Sequence, residues 1–179
     1  MKLDKIIFAG DSAGGHLTTS VALLAILRGF RPPDGIMSLY PVYTCEMQFF
    51  PSNLLAIDEW LLSEAFMSAV MSSFMRNGGN PEKSPILSPI KAPNRLLNML
   101  PQITMFSCEI DILRDQSIYF LDRLLKADNS KTPDRAKLIF MREYVHGFIT
   151  FAMKGTGIKE YENGLRITIE EFRRMLNQS

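Results

Sequence analysis

The stretch Lys5-Ile-Ile-Phe-Ala-Gly-Asp-Ser-Ala-Gly-Gly-His16 decides how the rest of the chain is read. Ile6, Ile7 and Phe8 are consecutive apolar residues, as in a parallel strand buried on both faces, and predict a strand over 4–9. Gly10-Asp11-Ser12-Ala13-Gly14 fits the pattern G-x-S-x-G, and an almost wholly apolar helical segment over 13–29 follows it. Strand, sharp turn and helix in this order form an elbow that lifts a serine hydroxyl clear of the sheet. A serine hydroxyl is a poor nucleophile at neutral pH until it meets a base and faces N–H donors for a developing oxyanion. The turn is expected to strain Ser12 and to bring backbone close, so that Gly10 and Gly14 carry no Cβ there. Ala13 starts the helix, which makes its N–H the expected oxyanion donor, and Asp11 and Gly15 complete the elbow. The plain alternative, a glycine-rich turn without chemistry, is outweighed by the strand and helix that flank it.

Working outward, Gly29 and then Pro32-Pro33 end the helix, and Gly35–Tyr40 is a second short apolar strand closed by Pro41. The helix stripe Leu17, Val21, Leu24 leaves little polar face beside it, which suits deep packing. Two strands joined by a helix make a βαβ unit with a right-handed crossover. Residues 42–60 show no clear period. A helix over about 59–76 carries two stripes, Leu62, Phe66, Val70, Phe74 and Met67, Met71, Met75. Core packing explains them as well as an acyl-accommodating cap of flexible thioethers does. A proline-punctuated connector spans 84–93, and 94–100 is a short helical turn. A third strand follows at 102–107 and a helix at 116–127, N-capped by Asp115, with inner stripe Ile118, Leu121, Leu125. Residues 137–141 form a fourth strand. Ile158, Tyr161, Leu165, Ile169, Phe172 and Leu176 mark a C-terminal helix. The order β-α-β-(insert)-α-β-α-β-α predicts an α/β fold with a parallel sheet of about four strands and helices on both faces.

In such a sheet, functional groups collect at the carboxyl ends of strands. Ser12 follows the first strand, Cys108-Glu-Ile-Asp111 the third, and Arg142-Glu-Tyr-Val-His146 the fourth, so all three open on one edge. His146 is the candidate base. His16, one turn after Ser12, is the competitor and is poorly placed to reach the hydroxyl from the substrate side. Asp111 is the first choice of acid, with Glu109 and Asp115 as rivals.

Composition excludes several classes. The chain has 179 residues, a size suited to one domain, with 46% hydrophobic residues and a formal net charge of +1. No electrostatic case exists for nucleic acid or an anionic membrane as partner. Lys126, Lys131, Arg135 and Lys137 form a loose basic group, read as solvated surface. Cys45 and Cys108 lack paired-motif spacing, so free thiols in a reducing compartment are expected and a metal site is not. No signal-peptide core and no apolar run of transmembrane length is read, which makes the cytoplasm the default.

The motifs Gly-Asp-Ser-Ala-Gly-Gly at 10–15, Asp111-Ile-Leu-Arg-Asp115 and His146-Gly-Phe148 together resemble the hormone-sensitive lipase family of α/β-hydrolases. Pro33-Asp-Gly-Ile-Met37, Tyr40-Pro41, Leu87-Ser-Pro89, Ala92-Pro93 and Leu100-Pro101 extend the similarity over nearly the whole chain. The resemblance implies hydrolysis of carboxylic esters, with acylglycerols and cholesteryl esters as family substrates and no cofactor. It implies Ser12, Asp111 and His146 as the triad and Ala13 as oxyanion donor. It also implies that 42–84 belongs to a cap and acyl pocket. The family carries a His-Gly-Gly-Gly loop and further strands upstream of the elbow. The 179 residues therefore read as one partial domain, the C-terminal half of the fold, whose turnover alone is weak. Its first strand is an exposed edge open to self-association, and a lipid-droplet surface is a candidate site of action. Short-chain carboxylesterase or amidase chemistry, or a non-catalytic module, remain the alternatives.

Overall fold

A computed structural model describes residues 5–46, 50–55, 62–128, 134–152 and 158–177. Four strands, β1 (Ile7–Asp11), β2 (Gly35–Leu39), β3 (Gln102–Ile110) and β4 (Ala136–Val145), form one sheet in the order β1-β2-β3-β4, every neighbouring pair parallel. The parallel, helix-connected α/β architecture is the one the alternation of apolar strands and helices predicted. The helices are α1 (Ala13–Arg28), α2 (Pro51–Leu55), α3 (Glu64–Phe74), α4 (Asn94–Leu97), α5 (Arg114–Ala127), α6 (Phe148–Phe151) and α7 (Lys159–Asn177).

Strand alternation sorts the core into two layers. Ile36, Ile103 and Met105 face α1 and α5, where Ala22, Leu23, Phe120 and Leu124 are buried with them. Met37, Leu39, Phe106 and Met141 face the other way, toward Phe148 and Met175 of the C-terminal helices. A third cluster at the carboxyl end joins Val42 and Cys45 to Met67 and Met71 of α3 and to Ile112 and Leu113.

Several expectations shift. β1 is only half-buried, because it pairs with β2 alone among the described residues. α1 ends at Gly29 in the left-handed conformation, as expected, but Leu17, Val21 and Leu24 lie on its exposed side and not in a deeply packed stripe. α2 was not anticipated; its Ser52 amide donates to Asp115 Oδ2 at 2.8 Å. Asp115 therefore does not cap α5; it sits in the first turn, and Leu113 is at the cap without a side-chain bond. The inner stripe of α5 is Ser117, Phe120, Leu124 and Ala127, while Ile118 and Leu125 are exposed. Gln116 fixes that rotation by accepting the N–H groups of Tyr43 and Thr44 at 2.8 and 3.3 Å. The inner stripe of α7 is Gly164, Thr168, Glu171 and Met175, with Tyr161 and Phe172 half-buried beside it and Ile158, Ile169 and Leu176 exposed. Here a buried carboxylate bonded to Thr104 sets the helix face. The basic group also divides. Arg135 is largely buried in a pair with Asp128, Lys137 pairs with Glu171, and Lys126 with Asp122. Lys131 lies outside the described residues.

Candidate active site

Ser12 sits at the junction of β1 and α1 with φ 51° and ψ −116°, a conformation costly for a residue with a side chain. Its amide donates to Leu39 O at 2.9 Å, which ties the turn to the end of β2. A Cβ on Gly10 would meet Gly14 O at 2.5 Å, so only glycine fits there. The expectation for Gly14 is corrected: a Cβ there would meet nothing nearer than Asp11 Oδ1 at 3.9 Å. The position that needs glycine is Gly15, where a Cβ would lie 2.8 Å from Pro41 Cβ. Close approach of the loop after β2, more than the turn itself, imposes it. Ala13 is exposed and is the first residue of α1, one of the four whose N–H lacks an intrahelical acceptor.

The three strand ends meet. Ser12 Oγ lies 2.8 Å from His146 Nε2, and His146 Nδ1 lies 2.9 Å from Asp111 Oδ2. An ionised Asp111 can only accept, so Nδ1 carries the proton and Nε2 is left to accept from the serine hydroxyl. Asp111 Oδ1 also accepts the Leu113 amide at 2.8 Å. His146 and Asp111 are both buried. The reach of His146 depends on irregularity in β4: pairing steps from Cys108↔Met141 to Ile110↔Val145, with Glu143 at φ 64° in the intervening bulge.

The rival side chains are engaged elsewhere. Glu109 Oε2 accepts the Glu143 amide at 2.8 Å and so secures the bulge. Asp115 takes Ser52 N and, at 2.9 Å, Arg114 Nε. His16 Nδ1 bonds Val42 O at 3.1 Å and its Nε2 contacts Ser20 Oγ at 3.2 Å, so neither nitrogen faces Ser12. Burial lowers the His16 pKa against the opposing pull of the Val42 carbonyl. Two contributors escaped the sequence. Gln116, already described, holds the loop after β2. Tyr40, at φ 36°, sets its ring 4.8 Å from that of His146. Only its place before Pro41 at a strand end hinted at it.

Beside Ser12 opens a cavity of about 310 Å³, almost wholly apolar, bounded by Leu17, Val42, Phe66, Val70 and Phe74. Both stripes of α3 border this cavity. Met67 and Met71 are buried in the third cluster at the cavity wall, and Phe66, Val70 and Phe74 line it with more of their surface exposed. Leu62 precedes the helix, which starts at Glu64 after the cap Ser63. Among the described residues no group of three or more His, Cys, Asp or Glu is arranged to hold a metal ion. No described helix is long and apolar enough to cross a membrane.

A family model described as alpha/beta hydrolase fold matches residues 1–150. The chain belongs to the α/β-hydrolase fold family. Mouse (Mus musculus) hormone-sensitive lipase is 44% identical to this chain over 71 residues, 40% of this chain and 9% of the lipase. Carboxyl esterase 2 of Tuber melanosporum superposes with a TM-score of 0.81 at 23% identity, covering 94% of this chain and 52% of the esterase. A thermostable esterase of Pseudomonas putida gives a TM-score of 0.78 at 20% identity over 97% of this chain and 52% of its own. The chain therefore spans about half the length of those two esterases and matches a small part of the lipase.

Proposed function

We propose that this chain carries the nucleophile, base and acid of a serine ester hydrolase acting on acyl esters. The carrying observation is the continuous hydrogen-bonded line from Ser12 through His146 to Asp111 at the carboxyl end of a parallel sheet. Ser12 Oγ attacks the ester carbonyl as its proton passes to His146 Nε2. Asp111 stabilises the imidazolium and holds its tautomer. The tetrahedral oxyanion forms beside the N–H of Ala13. His146 then returns the proton to the leaving alcohol, and water, activated by the same histidine, releases the acid from the acyl-serine.

The apolar cavity next to Ser12 supports an acyl group longer than acetyl, as in acylglycerols and cholesteryl esters. In this reading residues 42–84 act as a cap, with α3 as the acyl wall, on a single partial hydrolase domain. Turnover by the 179 residues alone is expected to be weak, because loss of one oxyanion donor costs about 10²–10³ in rate and this elbow offers chiefly Ala13. The outer edge of β1 is the expected surface of self-association, and light scattering that finds only monomer at high concentration overturns that part. Flotation with artificial lipid droplets tests surface association.

Fluorophosphonate labelling tests the chemistry. Ser12 should label, and labelling should vanish in Ser12→Ala and collapse in His146→Ala. A folded wild-type chain that never labels refutes the catalytic reading and favours a binding module. An acyl-length series of esters tests the substrate class. Sharp preference for acetyl or butyryl over longer chains replaces the lipase reading with a short-chain carboxylesterase.

A further inference from the structure

We infer that Tyr40 is a positioning residue for His146, bracing the imidazole from the side. This rests on the catalytic reading of His146 given above. The two hydrogen bonds of His146 run from opposite ring nitrogens, to Asp111 and to Ser12. Both bonds lie near the ring plane and restrain tilting out of that plane less than movement within it. A lateral contact adds the missing restraint, and Tyr40 supplies one: its ring lies 4.8 Å from the imidazole, inclined at 60°. Phe148 packs on Tyr40 at 5.5 Å and 75°, and Tyr144 on Phe148 at 5.0 Å and 87°, so the brace is itself backed by the segment that carries His146.

The Tyr40 φ of 36° is unfavourable for a bulky side chain. Its amide is held by Phe106 O at 2.8 Å, which fixes the strained residue at the end of β2. Its hydroxyl is buried beside the Asp11 carboxylate and the backbone of Ile149. Burial, reinforced by the negative charge of Asp11, raises the phenol pKa and keeps it neutral. The ring belongs to the core cluster with Leu39, Phe106 and Phe148, so packing stabilises it while the left-handed backbone opposes it. The ring does have a use. It is rigid, and an aromatic face interacts favourably with the cation that the imidazole becomes when it takes the serine proton.

The inference separates ring from hydroxyl. In the full 179-residue protein, Tyr40→Phe should label with a fluorophosphonate within about twofold of wild type, since the ring that braces the imidazole is kept. Tyr40→Leu should label about tenfold or more slowly at saturating probe, with half-saturation little changed. Its low-field Nδ1 proton resonance, sharp in wild type and in Tyr40→Phe, should broaden or vanish. Tyr40→Met, closer in volume, replaces the leucine variant if circular dichroism shows that variant unfolded. Folded leucine or methionine variants that label like wild type overturn the inference. So does a loss of rate shared equally by Tyr40→Phe, or a slowed variant that keeps the sharp low-field resonance. Should folded wild type fail to label, the catalytic reading falls, while the resonance still reports whether Tyr40 orders the imidazole.

Discussion

Two carboxylates are buried on different parts of the sheet, Asp111 with 1% and Glu171 with 5% of its surface exposed. Asp111 stands at the carboxyl end of β3 and meets His146 and the Leu113 amide. Glu171 lies in the middle of α7, over the sheet face, and meets Thr104, Lys137 and Arg174 at 2.6–3.1 Å. Burial alone therefore does not single out Asp111 as the proposed catalytic acid. The partner does. Lysine and arginine are charged at every ordinary pH, so the cluster around Glu171 is static and its work is to dock a helix. Histidine takes and releases protons in the physiological range, so a carboxylate bonded to it can orient a proton transfer.

The widest separation between the two should appear in activity. Asp111→Asn is expected to slow Ser12 labelling by about 10⁴-fold, the scale of loss when the orienting carboxylate of such a triad is neutralised. Glu171→Gln should leave the labelling rate of the folded protein essentially unchanged. Equal losses in the two variants would erase the distinction. Stability should rank them the other way. Glu171→Gln removes charge-assisted bonds to Thr104, Lys137 and Arg174 and should lower unfolding free energy by about 2 kcal/mol in urea titration.

Acid should act on the structural carboxylate in a defined window. Burial by itself would raise the Glu171 pKa, but hydrogen bonds from Arg174, Thr104 and Lys137 outweigh it and hold the value at about 2, below the ordinary 4.5. A depressed folded pKa contributes stability that is complete above 4.5 and is lost as pH falls toward about 2. Midpoints of urea unfolding should fall over that range in wild type and fall less in Glu171→Gln; parallel curves would remove Glu171 as the cause. The smallest change should come from Lys137→Met. Its side chain is 40% exposed, so the pair is partly screened and its loss should cost no more than about 1 kcal/mol.

Sequence reading reached the meeting of Ser12, Asp111 and His146 because the β-α-β alternation is periodic and local. Once the strands are parallel, their carboxyl ends share an edge whatever the loops do. It ranked Asp111 above Glu109 and Asp115, but it could not say what the rivals do instead. Glu109 serves a bulge and Asp115 an unanticipated helix, and both tasks depend on residues 34 and 63 positions away. The glycine rule for the elbow was half right for the same reason. Gly10 is constrained by its own turn, whereas Gly15 is constrained by Pro41, which arrives from the end of β2.

Helix faces were the weakest point. Ile118 and Leu125 carried the obvious apolar period of α5, and Ile158, Ile169 and Leu176 that of α7, yet these residues are exposed. Gln116 and Glu171 turn their helices by one position, because a buried polar group must reach its partner and the apolar residues then settle where they can. The sequence by itself determined the parallel α/β sheet, the elbow and the strand ends at which the serine, acid and histidine stand, since these follow from local period and chain order. Only the tertiary structure decided which polar groups are buried, which face of each helix turns inward, and that a strained tyrosine lies against the histidine. Those features are contacts between distant segments, and no local pattern encodes a contact whose partner lies elsewhere in the chain.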